Sequence, residues 1–406
     1  MHAVLVFPDI SKYVDRIRMF AELSTLTDSF HLLTRPSYDP AAFTGRWGAI
    51  EVHHLDRTGR TAFQRAALRL SLDIVRSLGP GNSGIVIHDI IVGRLAIPYS
   101  LRPYLKRTHN VKNITSLYAD NLGFVFDTLL RPANIPHQMC SSYWFYLRLY
   151  AFRLLTECAS CWASDIIICN SPSVPERLYR HYGVGDKAVV LPTEIDTSCY
   201  STDESYSRAS VGLPDDKPVL LFVGDVRLIK GIYPLLESLR ILRAQSLEFL
   251  AVFVGDVLPQ DRAMIMDTVE RYELQHSVSF RGSRPFAELL AHYATADVLL
   301  CPSLSEGSPR VVKEALLSGC PVISTDLPTI KQLDPTGQII IQVPVNDASA
   351  LARAVQAVLD NASQARLRAD QGRRLVIQRH SLQAVASQHF RVYQSFFQSV
   401  ERSRAS

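Results

Sequence analysis

Two carboxylates, Glu306 and Glu314, stand eight positions apart in the run ADVLLCPSLSEGSPRVVKEALLSGCPVISTD, residues 296–326. Acids at that spacing suit a polyol ligand, because carboxylates accept hydrogen bonds from sugar or ribose hydroxyls. The elements around them must do the positioning. Val298 to Cys301 reads as a buried strand, and Gly307, Ser308 and Pro309 as a small-residue loop. A helix then runs from Arg310 to Ser318 and stops at Gly319, before a second strand from Pro321 to Ser324. Strand, turn, helix and strand make a βαβ unit, whose ligands gather at the carboxyl end of the strand.

A second set of residues supplies positive charge. Leu221 to Gly231, LFVGDVRLIKG, runs from a strand through a turn at Gly224 to a helix start at Gly231. Backbone amides at such a turn favour anions, and Arg227 and Lys230 add cations where a diphosphate would sit. Val254-Gly255-Asp256 reads as a structural turn after the next strand. Arg281 and Gly282 follow a further strand, with either a loop that offers its backbone to a base edge or a solvated arginine as the two readings. In the first half, Arg107-Thr108-His109-Asn110-Val111 is expected at a strand-to-loop junction. His88-Asp89 is expected at the rim end of a strand, facing an acceptor or capping the next helix.

The Glu306–Glu314 segment resembles the Glu-x7-Glu signature of retaining glycosyltransferases of the two-Rossmann GT-B architecture, family 4 in particular. The likeness extends to the Pro-Ser before Glu306, the Glu306-Gly307 and Glu314-Ala315 pairs, and Gly319 to Val322. It implies an α/β fold with two Rossmann-like domains whose parallel sheets face a central cleft. It also implies transfer of a sugar, with retention, from a nucleotide-diphosphate donor to an acceptor hydroxyl. Glu306 would contact the donor sugar and Glu314 the ribose, with Gly307 and Ser308 near sugar or phosphate and Arg310 pairing with phosphate or a carboxylate. Lys230 and Arg227 would stabilise the leaving diphosphate, and His109 would line the sugar pocket. No metal and no cofactor are expected beyond the donor itself, and the leaving phosphate oxygen would deprotonate the acceptor.

The chain departs from the family in four places. Asp225 stands where an arginine follows the glycine in relatives, so Arg227 must reach round or one phosphate contact is lost. Phe7 to Lys12 lacks the Gly-Gly loop, leaving Lys12 or Arg16 to supply charge. Thr193-Glu194 replaces an Asn-Gly pair but keeps Asp196. Lys112 follows Val111 where glutamate is common.

Composition bounds the rest. A chain of 406 residues, 47% hydrophobic and 20% charged, fits two domains of about 200 residues each. The expected division is 1–200 for the acceptor, 201–380 for the donor and 381–406 as a helix returning to the first domain. The net charge is +4, carried by 21 basic and 17 acidic residues in the first half against 22 of each in the second. That mild surplus suits an anionic acceptor or membrane surface and argues against nucleic acid. Seven cysteines without framework spacing point to reduced thiols, and Cys158 and Cys161 to core packing. No apolar run reaches the ~18 residues of a membrane span, and residues 1–13 read as a first strand rather than a signal. A cytoplasmic protein is expected, with contact at the inner face of the membrane left open. Tyr143 to Arg153 interleaves aromatic rings with arginine, as a buried interdomain helix or a peripheral membrane helix would. The partners implied are a UDP- or GDP-linked sugar and a glycan, lipid-linked or small-molecule acceptor, in polysaccharide or glycolipid synthesis. A GT-B nucleotide-sugar epimerase and a catalytically silent sugar-nucleotide-binding protein are the alternatives.

Overall fold

The computed structural model describes residues 1–7, 14–34, 50–55, 60–79, 84–91, 111–117, 157–200 and 206–404. The chain divides into two compact units, Met1–Glu194 with Leu382–Ser406, and Ile195–Ser381.

The first unit is built on a seven-stranded sheet of neighbouring parallel strands in the order β3-β2-β1-β4-β5-β6-β7. The strands are β1 (His2–Val6), β2 (Ser29–Thr34), β3 (Ile50–His54), β4 (Ile85–Ile91), β5 (Val111–Leu117), β6 (Ile166–Cys169) and β7 (Ala188–Val190). Helices α1 (Val14–Ser24), α2 (Arg60–Leu78) and α3 (Val174–Tyr182) connect them. Strands covered on both faces read as nearly continuous apolar runs, and Ala3 to Phe7 are all buried. A terminal helix (Leu382–Arg404) packs on α1, with Val385 and Tyr393 in the same core as Phe20 and Leu32.

Two sequence expectations change here. His88 and Asp89 are not at a rim, because β4 continues to Ile91 and pairs along its length with β5. His88 is fully buried, with its ring nitrogens 2.6 Å from Tyr393 Oη of the terminal helix and 2.6 Å from Ser116 Oγ. Val111 opens β5, and Arg107–Asn110 lie outside the described residues. Arg16 is buried too, and its Nε donates to Glu194 Oε1 at 2.9 Å. The glutamate that replaces glycine in the Pro192–Asp196 turn therefore serves as counter-ion to an arginine inside the same unit. Cys158 and Cys161 are free thiols, and burial pushes both upward in pKa, so they pack instead of reacting.

The second unit holds a six-stranded sheet, β10-β9-β8-β11-β12-β13, again with neighbours parallel. Its strands are β8 (Val219–Val223), β9 (Leu250–Val254), β10 (Val278–Gly282), β11 (Val298–Cys301), β12 (Val322–Thr325) and β13 (Ile341–Val343). Its helices are α4 (Ile232–Ala244), α5 (Pro259–Arg271), α6 (Phe286–Thr295), α7 (Arg310–Leu317), α8 (Pro328–Leu333), α9 (Ala348–Asp360) and α10 (Ala362–His380). Two cores lie on the two faces, one under α6, α7 and α10 and the other under α4, α5 and α9. Strand order reverses between β8 and β11, which makes their carboxyl ends the switch point where ligands bind in open α/β sheets.

Candidate functional site

Lys230 and Glu306 meet at that switch point. After β8 the chain turns at Gly224, whose amide donates to Val254 O, and Val226 N donates to Asp256 O. A single 3₁₀ turn, Leu228–Lys230, then carries Lys230 to the start of α4. After β11 the chain runs Pro302-Ser303-Leu304 and reaches Glu306 before α7 begins. Lys230 Nζ donates to Glu306 Oε1 at 2.6 Å, and Ser303 Oγ donates to the same oxygen at 2.7 Å.

The backbone stitches these two loops together. Leu304 N donates to Ile229 O at 2.9 Å. Gly231 sits at φ +70°, where a side chain is strained, and a Cβ there would lie 1.8 Å from Pro302 O. Only glycine lets the lysine turn approach the acid loop this closely. Thr325 Oγ1 of β12 holds Ser303 O at 2.6 Å, and Thr329 Oγ1 of α8 reaches Glu306 O at 3.4 Å. Glu306 is thus fixed from three elements.

Glu314 is held separately on α7. It is buried, with Tyr293 Oη of α6 donating to Oε2 at 2.9 Å and Arg310 Nε to Oε1 at 2.6 Å. Arg310 lies one helical turn before Glu314, on the same helix face, so the pair closes at i,i+4. Tyr293 is fully buried and its phenol is pushed well above its ordinary pKa, by burial first and by Glu314 second, so it stays a donor. The helix presents Val312, Ala315 and Leu316 to the core. It ends where Cys320 N bonds Ala315 O across Gly319 at φ +73°, the left-handed closure expected of a glycine stop. Gly307 and Ser308 occupy the loop before α7, and buried Lys313 reaches Ser308 Oγ at 3.4 Å.

Arg227 caps the start of the turn that carries Lys230. Its Nε is buried without a hydrogen-bond partner, and its charge acts on Asp261 of α5, opposing the rise that burial imposes on that carboxyl. Arg281 Nη2 donates to Gly212 O at 2.9 Å. Gly282, at φ +66°, pairs with Gly255, and Asp256 accepts from Ser283 N and Oγ at 3.0 and 2.7 Å. Those contacts make Val254–Asp256 a structural turn. Cys301, beside the pair, is buried, and burial together with Glu306 pushes its thiol up to about 11 while Lys230 pulls it down, so it remains a neutral thiol. His109 and Lys12 lie outside the described residues, as do Tyr143–Arg153.

Ser303 stands in the sequence pattern as part of the Pro-Ser before Glu306, but nothing there singles out Tyr293, Lys313 or Thr329. Tyr293 and Thr329 come from neighbouring segments with ordinary core or loop signatures, and only Lys313, one residue before Glu314 on an otherwise apolar helix face, carries a local signal.

The chain is similar in sequence and fold to known proteins. Residues 203–375 match the family described as Glycosyl transferases group 1. Among curated relatives, a D-inositol 3-phosphate glycosyltransferase of Corynebacterium diphtheriae is 29% identical over 49% of this chain and 48% of its own length. Glycogen synthase of Mycobacterium tuberculosis is 28% identical over 57% of this chain and 54% of its own. The chain spans about half the length of the curated relatives it matches. Among solved structures, sucrose-phosphate synthase from Thermosynechococcus elongatus aligns with a TM-score of 0.68 at 21% identity, covering 98% of this chain and 100% of that one. Anabaena HepE in complex with UDP-glucose aligns at 0.67 and 15%, covering 97% and 100%. The fold is GT-B.

Proposed function

We propose that this chain is a retaining glycosyltransferase of family 4 type, moving a sugar from a nucleoside-diphosphate donor to an acceptor hydroxyl in glycan, polysaccharide or glycolipid synthesis. The observation that carries the reading is the Lys230–Glu306 pair at the β8/β11 switch point, inside the segment that matches group 1 glycosyl transferases.

In this reading Lys230 meets the charge that grows on the leaving diphosphate, with Glu306 and Ser303 holding its ammonium in place beforehand. Electrostatic groups fixed before the reaction cost no reorganisation during it. The orphaned Nε of Arg227 is a further donor for a phosphate oxygen, since buried donors are otherwise paired. Glu306 accepts from donor-sugar hydroxyls, Glu314 from the ribose, and Gly307 and Ser308 offer amides at the start of α7. Arg310 and Tyr293 each take one lone pair of the Glu314 carboxylate, which leaves others able to accept. Side-chain cations carry the phosphate charge, so the donor step needs no metal. The leaving phosphate oxygen takes the acceptor proton. Gly224, Gly231, Arg281 and Gly282 shape the backbone around the nucleotide.

HepE was solved with UDP-glucose, so uridine donors are tried first. Incubation with a panel of UDP- and GDP-sugars and a lipid and glycan extract is the test, with released nucleotide and labelled product as readouts. Acceptor-dependent release supports transfer; isomerised donor with no acceptor dependence overturns it in favour of epimerisation. Among the described residues no helix is long and apolar enough to cross a membrane. Contact with a membrane face through Tyr143–Arg153 is tested by vesicle sedimentation with Trp144→Ala and Arg148→Ala.

A further inference from the structure

The edge of the first unit's sheet carries a second constellation, independent of the donor site. β3 is the last strand of that sheet and pairs with β2 in the register His31↔Glu51 and Leu33↔His53. Residues two apart on a strand share a face, so Glu51 and His53 project together, and His31 lies directly across from Glu51. Their polar atoms converge. His31 Nδ1 is 3.2 Å from Glu51 Oε2 and 3.2 Å from His53 Nε2, and His53 Nε2 is 3.5 Å from Glu51 Oε1.

The two imidazole nitrogens and the Glu51 carboxylate, with Oε2 toward His31 and Oε1 toward His53, form a group of three ligands. Zinc-class ions bind imidazole nitrogen and carboxylate oxygen at about 2.0–2.2 Å, so two ligands of a tetrahedral site lie roughly 3.3–3.6 Å apart. All three observed edges fall within a few tenths of an ångström of that range. A hydrogen bond between the imidazoles would explain one edge alone. It would not explain why the carboxylate spreads an oxygen to each ring. The rings stack at 5.4 Å and 28°. Among the described residues this is the group of three ligand-type side chains whose atoms all lie within 4.8 Å of one another.

We infer that His31, Glu51 and His53 bind a divalent transition ion of the zinc class, two imidazoles and one carboxylate, with a fourth position open to water. The Glu51 side chain is 64% exposed and lies on the edge strand, so the ion has an entry path and the fourth ligand exchanges with solvent. Two-histidine, one-carboxylate sets with an open position are the type that hold an exchangeable water. The ion would also clip β3 to β2, supplying an edge strand with a cross-link that its mostly exposed side chains do not provide.

Cobalt(II) is the probe, titrated into the untagged full chain and followed by its visible ligand-field absorption. The expected result is a single saturable site with four- or five-coordinate bands, displaced by zinc. Glu51→Gln and His53→Ala should each lower the cobalt affinity at least about tenfold, and the two together should abolish the bands. Zinc should raise the thermal unfolding temperature of the parent and not of Glu51→Gln, whose exposed side chain leaves metal-free folding intact. Absence of ligand-field bands in the parent, or bands unchanged in both single variants because the ion sits on other histidines, would overturn the assignment.

Discussion

Lys230 Nζ and Glu306 Oε1 stand 2.6 Å apart although 76 residues separate them, and each sits at the end of one of two adjacent strands. The pair follows from topology. β8 and β11 are neighbours only because the strand order reverses between them, and each contributes one loop to the crevice. Lys230→Ala should therefore lower turnover by about 10²–10³, the cost of losing one preorganised charge at a developing anion, while changing donor KM far less. Steady-state kinetics with the donor found by nucleotide release give the test.

Gly231 holds the same two loops in contact. Alanine there must adopt a positive φ and push its methyl into Pro302 O. Gly231→Ala should cost roughly 1–3 kcal/mol of stability and, by moving the lysine turn, also reduce turnover. Thermal unfolding and kinetics on the same sample separate the two effects. A Gly231→Ala protein with parental Tm and activity would contradict the packing described.

Tyr293 and Arg310 between them hold both oxygens of Glu314. Tyr293→Phe leaves a buried carboxylate short of one donor, which should cost about 1–3 kcal/mol and raise the nucleotide Kd. Arg310→Ala removes the half-exposed partner of the same buried carboxylate, so it should cost about 1–3 kcal/mol as well and weaken binding. Calorimetric titration with nucleoside diphosphate compares the two.

Much of this was legible before the fold was known, for a physical reason. Buried parallel strands are short continuous apolar runs, so Val219–Val223, Val298–Cys301 and Ile166–Cys169 stand out in the chain at the bounds the structure gives them. Short or polar strands do not: β7 has three residues, and the start of β5 is disguised by Lys112 and Asn113. His88 looked like a rim residue because histidine and aspartate interrupt β4. What buries it is Tyr393, 305 residues later, and local pattern holds no trace of so distant a partner. Glu306, Glu314 and Lys230 were readable as chemistry, yet their orientation by Ser303, Tyr293 and Gly231 depends on which strands are adjacent. The same limit hid His31, Glu51 and His53, which are brought together only by the β2/β3 register.

The buried histidines of the first unit set a pH dependence. Burial lowers the pKa of His88 and His389; for His88 the neighbouring His389 and Arg16 push the same way, whereas Val385 O and Glu194 partly offset it for His389. Below about pH 6.5 the unfolded chain binds protons that these folded imidazoles refuse. Stability is therefore fully present above about 6.5 and falls as pH drops toward the folded pKa values. Tm measured from about pH 8 to about pH 5 should decline on the acid side, and His88→Asn, with a lower Tm at neutral pH, should show a shallower decline. Parallel acid limbs for the two proteins would remove these residues from the account.

The most direct measurement is isothermal titration of UDP and GDP into the parent chain, Glu314→Ala and Lys230→Ala. The account predicts that the parent binds at least one of the two nucleotides, that Glu314→Ala weakens that binding at least about tenfold through loss of a charged contact of about 1.5–3 kcal/mol, and that Lys230→Ala weakens it less. Binding of equal strength in all three proteins, or none in the parent at millimolar nucleotide, would contradict it.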